Sequence, residues 1–144
     1  MSRKIKFRGL TKANNVMVFG DLIHCPNGSH RIIGYEQKGE IPLDVDYNDF
    51  NELIQSSTIG EFTGLHDKNG VDIYEGDILG GYPHGSVIVK WDDQYACFSC
   101  YDLEEQETDY GLFGNILDDC KDEFIVIGNI YQNPELLTSN TTKS

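Results

Sequence analysis

Long apolar runs are missing from this chain: no stretch approaches the ~20 apolar residues that a membrane helix requires, and Met1-Ser-Arg-Lys-Ile-Lys is followed by no apolar segment of a secretory signal. These absences set aside a membrane partner and predict a cytoplasmic protein. Positive charge is also scarce. Eleven Lys and Arg stand against 24 Asp and Glu, for a net charge of −13, and the longest basic cluster is Arg3-Lys4 with Lys6 and Arg8. Such a chain repels phosphate backbones and anionic lipid, so direct nucleic-acid binding is disfavoured. The acidity reads as solubility, or as a surface that engages a basic partner or imitates DNA.

The motifs of nucleotide and acyl chemistry are absent as well. Neither G-x-x-x-x-G-K-[ST] nor G-x-G-x-x-G occurs. The histidines, His24, His30, His66 and His84, fall in or beside expected turns and outside any recognisable nucleophile motif. Among so many carboxylates, spacing alone does not make Glu75 and Asp77 an acid/base pair. Asp67-x-Asn69-Gly70 resembles the start of a calcium loop, but an EF-hand needs Gly at its sixth position and a carboxylate at its twelfth, where this chain has Gly fourth and Ile78 twelfth. The expectation is a protein that is not an enzyme and takes no cofactor.

Cysteine is sparse, with Cys25, Cys97, Cys100 and Cys120. Cys97-Phe-Ser-Cys100 has the spacing of zinc and redox sites, and Cys25 with His24 or Cys120 would complete a set of four ligands. No second C-x-x-C accompanies it. In a strand, positions i and i+3 point to opposite faces, which leaves Cys97 and Cys100 as weak metal candidates and predicts thiols in a reducing compartment.

What the chain has in excess is glycine, 15 of 144 residues, roughly half as much again as the usual ~7%. Helix-compatible stretches are short. Together these features predict an all-β, mainly strand fold with little helix, joined by tight turns. Alternation in Arg3–Arg8 and the run Val16–Phe19, either side of the polar turn Thr11–Asn15, read as an N-terminal β-hairpin. In its first strand Ile5 and Phe7 are expected inside, with Lys4, Lys6 and Arg8 in water. Cys25-Pro-Asn-Gly-Ser29 reads as a turn and His30–Tyr35 as a third strand. Residues 41–57 read as a connector, in which Phe50, Leu53 and Ile54 fit one face of a short helix.

From Ile59 the pattern sharpens. Glu61–Leu65 and Val71–Tyr74 flank Asp67-Lys-Asn-Gly70, whose Asn and Gly suit a hairpin turn. Glu75-Gly-Asp77 is a second tight turn, with Gly76 in a left-handed conformation and the Asp77 carboxylate accepting a backbone N–H. Val87, Val89 and Trp91 share a face of the next strand, and Asp92-Asp-Gln94 turns the chain into Tyr95–Tyr101. The acidic stretch 102–109 reads as a solvated loop, Leu112–Leu117 as a helical turn, and Glu123–Gly128 as a buried strand. Short strands favour closing on themselves to remove free edges. The expected organisation is therefore an N-terminal β-region and connector over 1–57, a small SH3-like barrel or roll over 58–137, and a mobile tail over 138–144.

Three blocks, Ile5-Lys-Phe-Arg8, the run from Thr58 through Glu61-Phe-Thr-Gly-Leu-His-Asp-Lys-Asn-Gly70 to Tyr74-Glu-Gly-Asp-Ile78, and Val126-Ile-Gly-Asn-Ile-Tyr-Gln-Asn-Pro-Glu-Leu136, resemble the YopX family of phage and prophage proteins. Their order spans nearly the whole chain. Gly9-Leu10 departs from the Ala-Trp pair common there, and Gly20–Asp49 has no counterpart. The resemblance implies an SH3-type roll, phage origin and the cytosol of a bacterial host. The family has no assigned activity, so no catalytic residue transfers.

Aromatic residues are dense between Tyr74 and Tyr131, and Tyr favours interfaces because it offers large, partly polar contact area. Most should fill the core. Tyr74 and Tyr82, which flank turns, are the expected interaction face. The leading expectation is a phage-encoded accessory protein that binds a protein partner or self-associates as a homo-oligomer. The alternatives are an acidic nucleic-acid mimic that inhibits a basic protein, and a small metal-binding protein or enzyme.

Overall fold

The structure, a computed structural model, describes residues 4–34, 50–81, 85–103, 109–112 and 124–138. The chain forms two compact units, Met1–Phe62 and Thr63–Ser144. It is almost all β, and among the described residues no helix is long and apolar enough to cross a membrane.

In the first unit four strands run antiparallel: β1 (Phe7–Leu10), β2 (Met17–His24), β3 (His30–Gly34) and β4 (Phe50–Ile54). A 3-10 turn at Ser56–Thr58 leads to β5 (Gly60–His66), which returns to β1 through Phe7↔Glu61 and Arg8↔Gly60. The long strand β2 serves two partners, pairing β1 from Met17 to Gly20 and β3 from Asp21 to His24. Gly20 makes this change of partner possible, because a Cβ there would lie 2.2 Å from the Ile33 carbonyl oxygen. At the other end Thr11 bridges Ile54, and Gln55 N–H and Lys12 N–H donate to Leu10 and Leu53 carbonyls, each at 2.9 Å. The Thr58 hydroxyl ties the 3-10 turn to β1, accepting Leu10 N–H at 2.9 Å and donating to the Gln55 carbonyl at 2.7 Å. Four strands, a 3-10 turn and a fifth strand returning to the first is the connectivity of an SH3-type roll.

Two expectations change here. Arg8 is buried and Ile5 is 66% exposed, the reverse of the expected phase. The reason is that β1 is covered on both sides. A Cβ on Gly9 would meet Ile54 and Ile32 on one face, while Arg8 and Leu10 are buried on the other; when both faces are covered, alternation does not say which side is inside. The stretch with Phe50, Leu53 and Ile54 is strand rather than helix, because β3 offers it a five-residue ladder from His30↔Ile54 to Gly34↔Phe50. Residues 35–49 of the expected connector lie outside the described residues.

In the second unit β5 is followed by β6 (Asp72–Tyr74), β7 (Asp77–Gly80), β8 (Val87–Asp92), β9 (Cys97–Asp102), β10 (Asp109–Leu112), β11 (Ile125–Asn129) and a four-residue helix α1 (Glu135–Thr138). A five-stranded antiparallel sheet has the order β10-β9-β8-β7-β11. Its central strands are buried on both faces. Leu79, Val87 and Val89 join Ile73, Phe98, Cys100 and Phe124 in one apolar cluster, and Ile78 and Ile88 join Leu103 in another, against which Leu136 and Leu137 of α1 pack. At roughly 1.5–3 kcal/mol for each large apolar side chain buried, these two clusters dominate the unit's cohesion. Asp109–Leu112 is a strand where a solvated loop and the start of a helical turn are expected; residues 104–108, 113–123 and 139–144 lie outside the described residues.

Candidate interaction surface

The turn residues that invite a chemical reading have structural work. Asp77 is 1% exposed, and its Oδ2 accepts the Tyr74 N–H at 2.7 Å, as the turn chemistry predicts. Gly76, at φ 93°, occupies the left-handed region. Asp67 Oδ1 accepts Asn69 N–H and Val71 N–H at 2.8 and 2.9 Å, closing the β5–β6 turn. Its Oδ2 accepts Val126 N–H of β11 at 3.0 Å. Burial raises the Asp67 pKa, but hydrogen bonds from Val126, Val71 and Asn69 and the charge of His66 outweigh it, and the net position is below 3.8. Both carboxylates thus hold backbone turns, Asp67 through both oxygens and Asp77 through Oδ2.

The ligand candidates separate in the same way. Phe98 and Cys100 point into the apolar cluster, whereas Cys97, half-buried, shares the opposite face with Ser99, whose Oγ lies 4.0 Å from its Sγ. Cys97 and Cys100 therefore do not converge. Cys25 is half-buried in the first unit, and Cys120 lies outside the described residues. His24 and His30 pair across β2 and β3 with ring centroids 4.6 Å apart, and His30 Nδ1 is 2.6 Å from Ser56 Oγ. His66 Nε2 lies 2.9 Å from Asp72. Among the described residues no three His, Cys, Asp or Glu side chains gather as a metal site.

Of the two tyrosines expected on an interaction face, Tyr74 is 4% exposed and belongs to the interior, a correction that follows from β6 lying within the core of its unit. Tyr82 lies outside the described residues. Among the described residues, exposed aromatic surface lies at Phe19 of β2, 47% exposed, and on the β8–β9 hairpin. Trp91, the sole tryptophan, pairs with Phe98 edge to face, centroids 5.2 Å apart and planes at 76°. Phe98 is buried while Trp91 is 43% exposed, and Tyr95 at the hairpin tip is 60% exposed. The tip is fixed locally: Asp92 Oδ1 accepts the N–H groups of Gln94 and Tyr95 at 2.8 and 3.3 Å, and Ala96 takes a left-handed φ of 51°. On the opposite face Lys90 Nζ lies 5.7 Å from the Tyr101 ring centre, and the Tyr101 hydroxyl donates to Asp92 Oδ2 at 3.4 Å. Sequence periodicity correctly assigns Trp91 to the face of Val87 and Val89. It misses that the strand runs past the core before it ends; the signal was the Asp-Asp turn directly after the tryptophan.

The family described as YopX protein matches residues 6–138. The chain belongs to this family. No curated protein matches this YopX chain. Among solved structures it is similar to the crystal structure of protein EF1440 from Enterococcus faecalis, with 28% identity and a TM-score of 0.56, covering 94% of this chain and 99% of that one. The likeness thus extends over both units, and every turn described above lies inside the family match.

Proposed function

We propose that this YopX protein is a non-enzymatic accessory protein, encoded by a phage or prophage and acting in the bacterial cytosol, whose β-rich body binds another protein. The observation that carries the reading is that Trp91 and Tyr95 are both exposed on a hairpin whose turn is closed by the Asp92 carboxylate. Large aromatic side chains on a rigid support lose little entropy on binding and are the residue types that dominate interface energies. The turn-holding roles of Asp67 and Asp77, and the placement of Cys97 and Cys100 on opposite faces of β9, fit a binding role.

A photo-crosslinking amino acid at position 95, expressed in the bacterial host during phage growth, tests this. The expected result is one dominant crosslinked protein from position 95, lost when Trp91→Ala is added, and none from a probe at the exposed Asn14 of the first unit. Light scattering of the purified chain identifies the partner as a second copy if mass doubles and the crosslink joins two copies. Equal, diffuse labelling from both positions would sink the proposal.

A further inference from the structure

We infer that the Trp91–Tyr95 tip binds a basic, arginine-rich segment of its partner. This inference rests on the protein-binding reading above and names the occupant. Trp91 and Tyr95 present aromatic surface, and Asp93 is exposed within the same turn that Asp92 closes. Aromatic faces attract cations through the ring quadrupole, and a guanidinium combines stacking on a ring with a two-pronged bond to a carboxylate. Exposed aromatic and carboxylate side chains within the one segment 91–95 thus offer a guanidinium both kinds of contact.

The hairpin already uses this chemistry on its other face. There Lys90 lies over the Tyr101 ring, and the Tyr101 hydroxyl is bonded to Asp92. The same Asp92 carboxylate orders the tip through Gln94 and Tyr95, so one acidic residue links an internal cation–aromatic pair to the exposed aromatic surface.

Charge selects among other occupants. A net charge of −13 repels nucleic acid, and two copies would bring like charges together. A wholly apolar partner would strip water from Asp92 and Asp93 without replacing their hydrogen bonds, which is costly. A cationic segment gains from each of these features and is steered toward the surface by the field of the whole chain.

The sole tryptophan is the reporter. The purified full chain is titrated at low salt with oligoarginine, with oligolysine of equal length and with a Gly-Ser peptide, following Trp91 emission. Oligoarginine should give a saturable change that weakens with salt, oligolysine a weaker one and Gly-Ser none. Tyr95→Ala should weaken oligoarginine about three- to tenfold, Tyr95→Phe should retain it, and Asp93→Asn should flatten the salt dependence; circular dichroism checks that each variant is folded. Absence of a saturable change, or undiminished affinity in both Tyr95→Ala and Asp93→Asn, overturns the inference. A position-95 crosslink to a protein with no oligoarginine response leaves the protein-binding reading standing and removes only the basic occupant. Loss of both removes both.

Discussion

Asp67 Oδ2 accepts the backbone N–H of Val126 at 3.0 Å, joining residues 59 apart in sequence. One side chain thereby closes the β5–β6 turn and fixes the start of β11, where Lys68 N–H also donates to the Phe124 carbonyl at 3.1 Å. Hydrogen bonds to a charged acceptor contribute about 1.5–3 kcal/mol each. Asp67→Ala removes three such bonds and should therefore cost about 4 kcal/mol or more, and Asp67→Asn less, because its remaining oxygen still serves the turn. Urea unfolding measures both; equal costs would mean that the turn bonds from Asn69 and Val71 add nothing, and a cost-free Asp67→Asn would mean that the Val126 bond adds nothing.

The same residue sets part of the acid limb of stability. Burial raises its pKa, but the three backbone donors and His66 bring the folded value below the ordinary 3.8. A depressed carboxylate adds stability that is fully present above its unfolded value and disappears as pH falls through the folded one. Stability should thus drop as pH is lowered beneath about 3.8, and the drop should be shallower in Asp67→Asn. Parallel acid limbs for the two proteins would contradict this.

Three glycines of the first unit should rank by what a methyl group would meet. At Gly28, with φ +89°, nothing lies within 4 Å, so Gly28→Ala costs only the left-handed backbone, about 1–2 kcal/mol. At Gly9 the methyl would come 2.5 Å from the Ile54 side chain, which can shift at a cost of about 1–3 kcal/mol. At Gly20 it would meet the Ile33 carbonyl oxygen at 2.2 Å, and backbone cannot rotate away. Gly20→Ala should be the most damaging, and melting temperatures give the order directly.

Thiol alkylation of the native protein, read by peptide mass, should modify Cys25 and Cys97 before Cys100, which is fully buried in the apolar cluster. Simultaneous modification of Cys97 and Cys100 would show that β9 does not hold the two thiols on opposite faces.

Trp91→Ala should cost about 1–2 kcal/mol, the edge-to-face contact with Phe98 plus partial burial. Val89→Ala, at a fully buried position, should cost about 2–3 kcal/mol despite the smaller deletion. Denaturant midpoints compare the two, and a larger loss at Trp91 would make it a core residue rather than a surface one.

The hairpins were legible because their determinants are local. Asp67-Lys-Asn-Gly70 and Asp92-Asp-Gln94 carry their own turn chemistry, so β5–β6 and β8–β9 could be drawn from adjacent residues, as could the bond from Tyr74 N–H to the Asp77 carboxylate. Opposite faces for Cys97 and Cys100 followed from the period of a strand. The strand character of Phe50–Ile54 and the exposed aromatic tip were not legible in this way.

By itself, the sequence determined an all-β chain, its turns, its family and the acidity that disfavours anionic partners, since composition and short-range periodicity act without reference to distant segments. Only the tertiary structure decided that Arg8 is inside and Ile5 outside, that Tyr74 is interior while Trp91 and Tyr95 reach water, and that Asp67 spans to Val126. The physical reason is common to all three: a strand's alternation defines two faces, but which face is buried, and for how many residues, depends on strands that arrive from elsewhere in the chain.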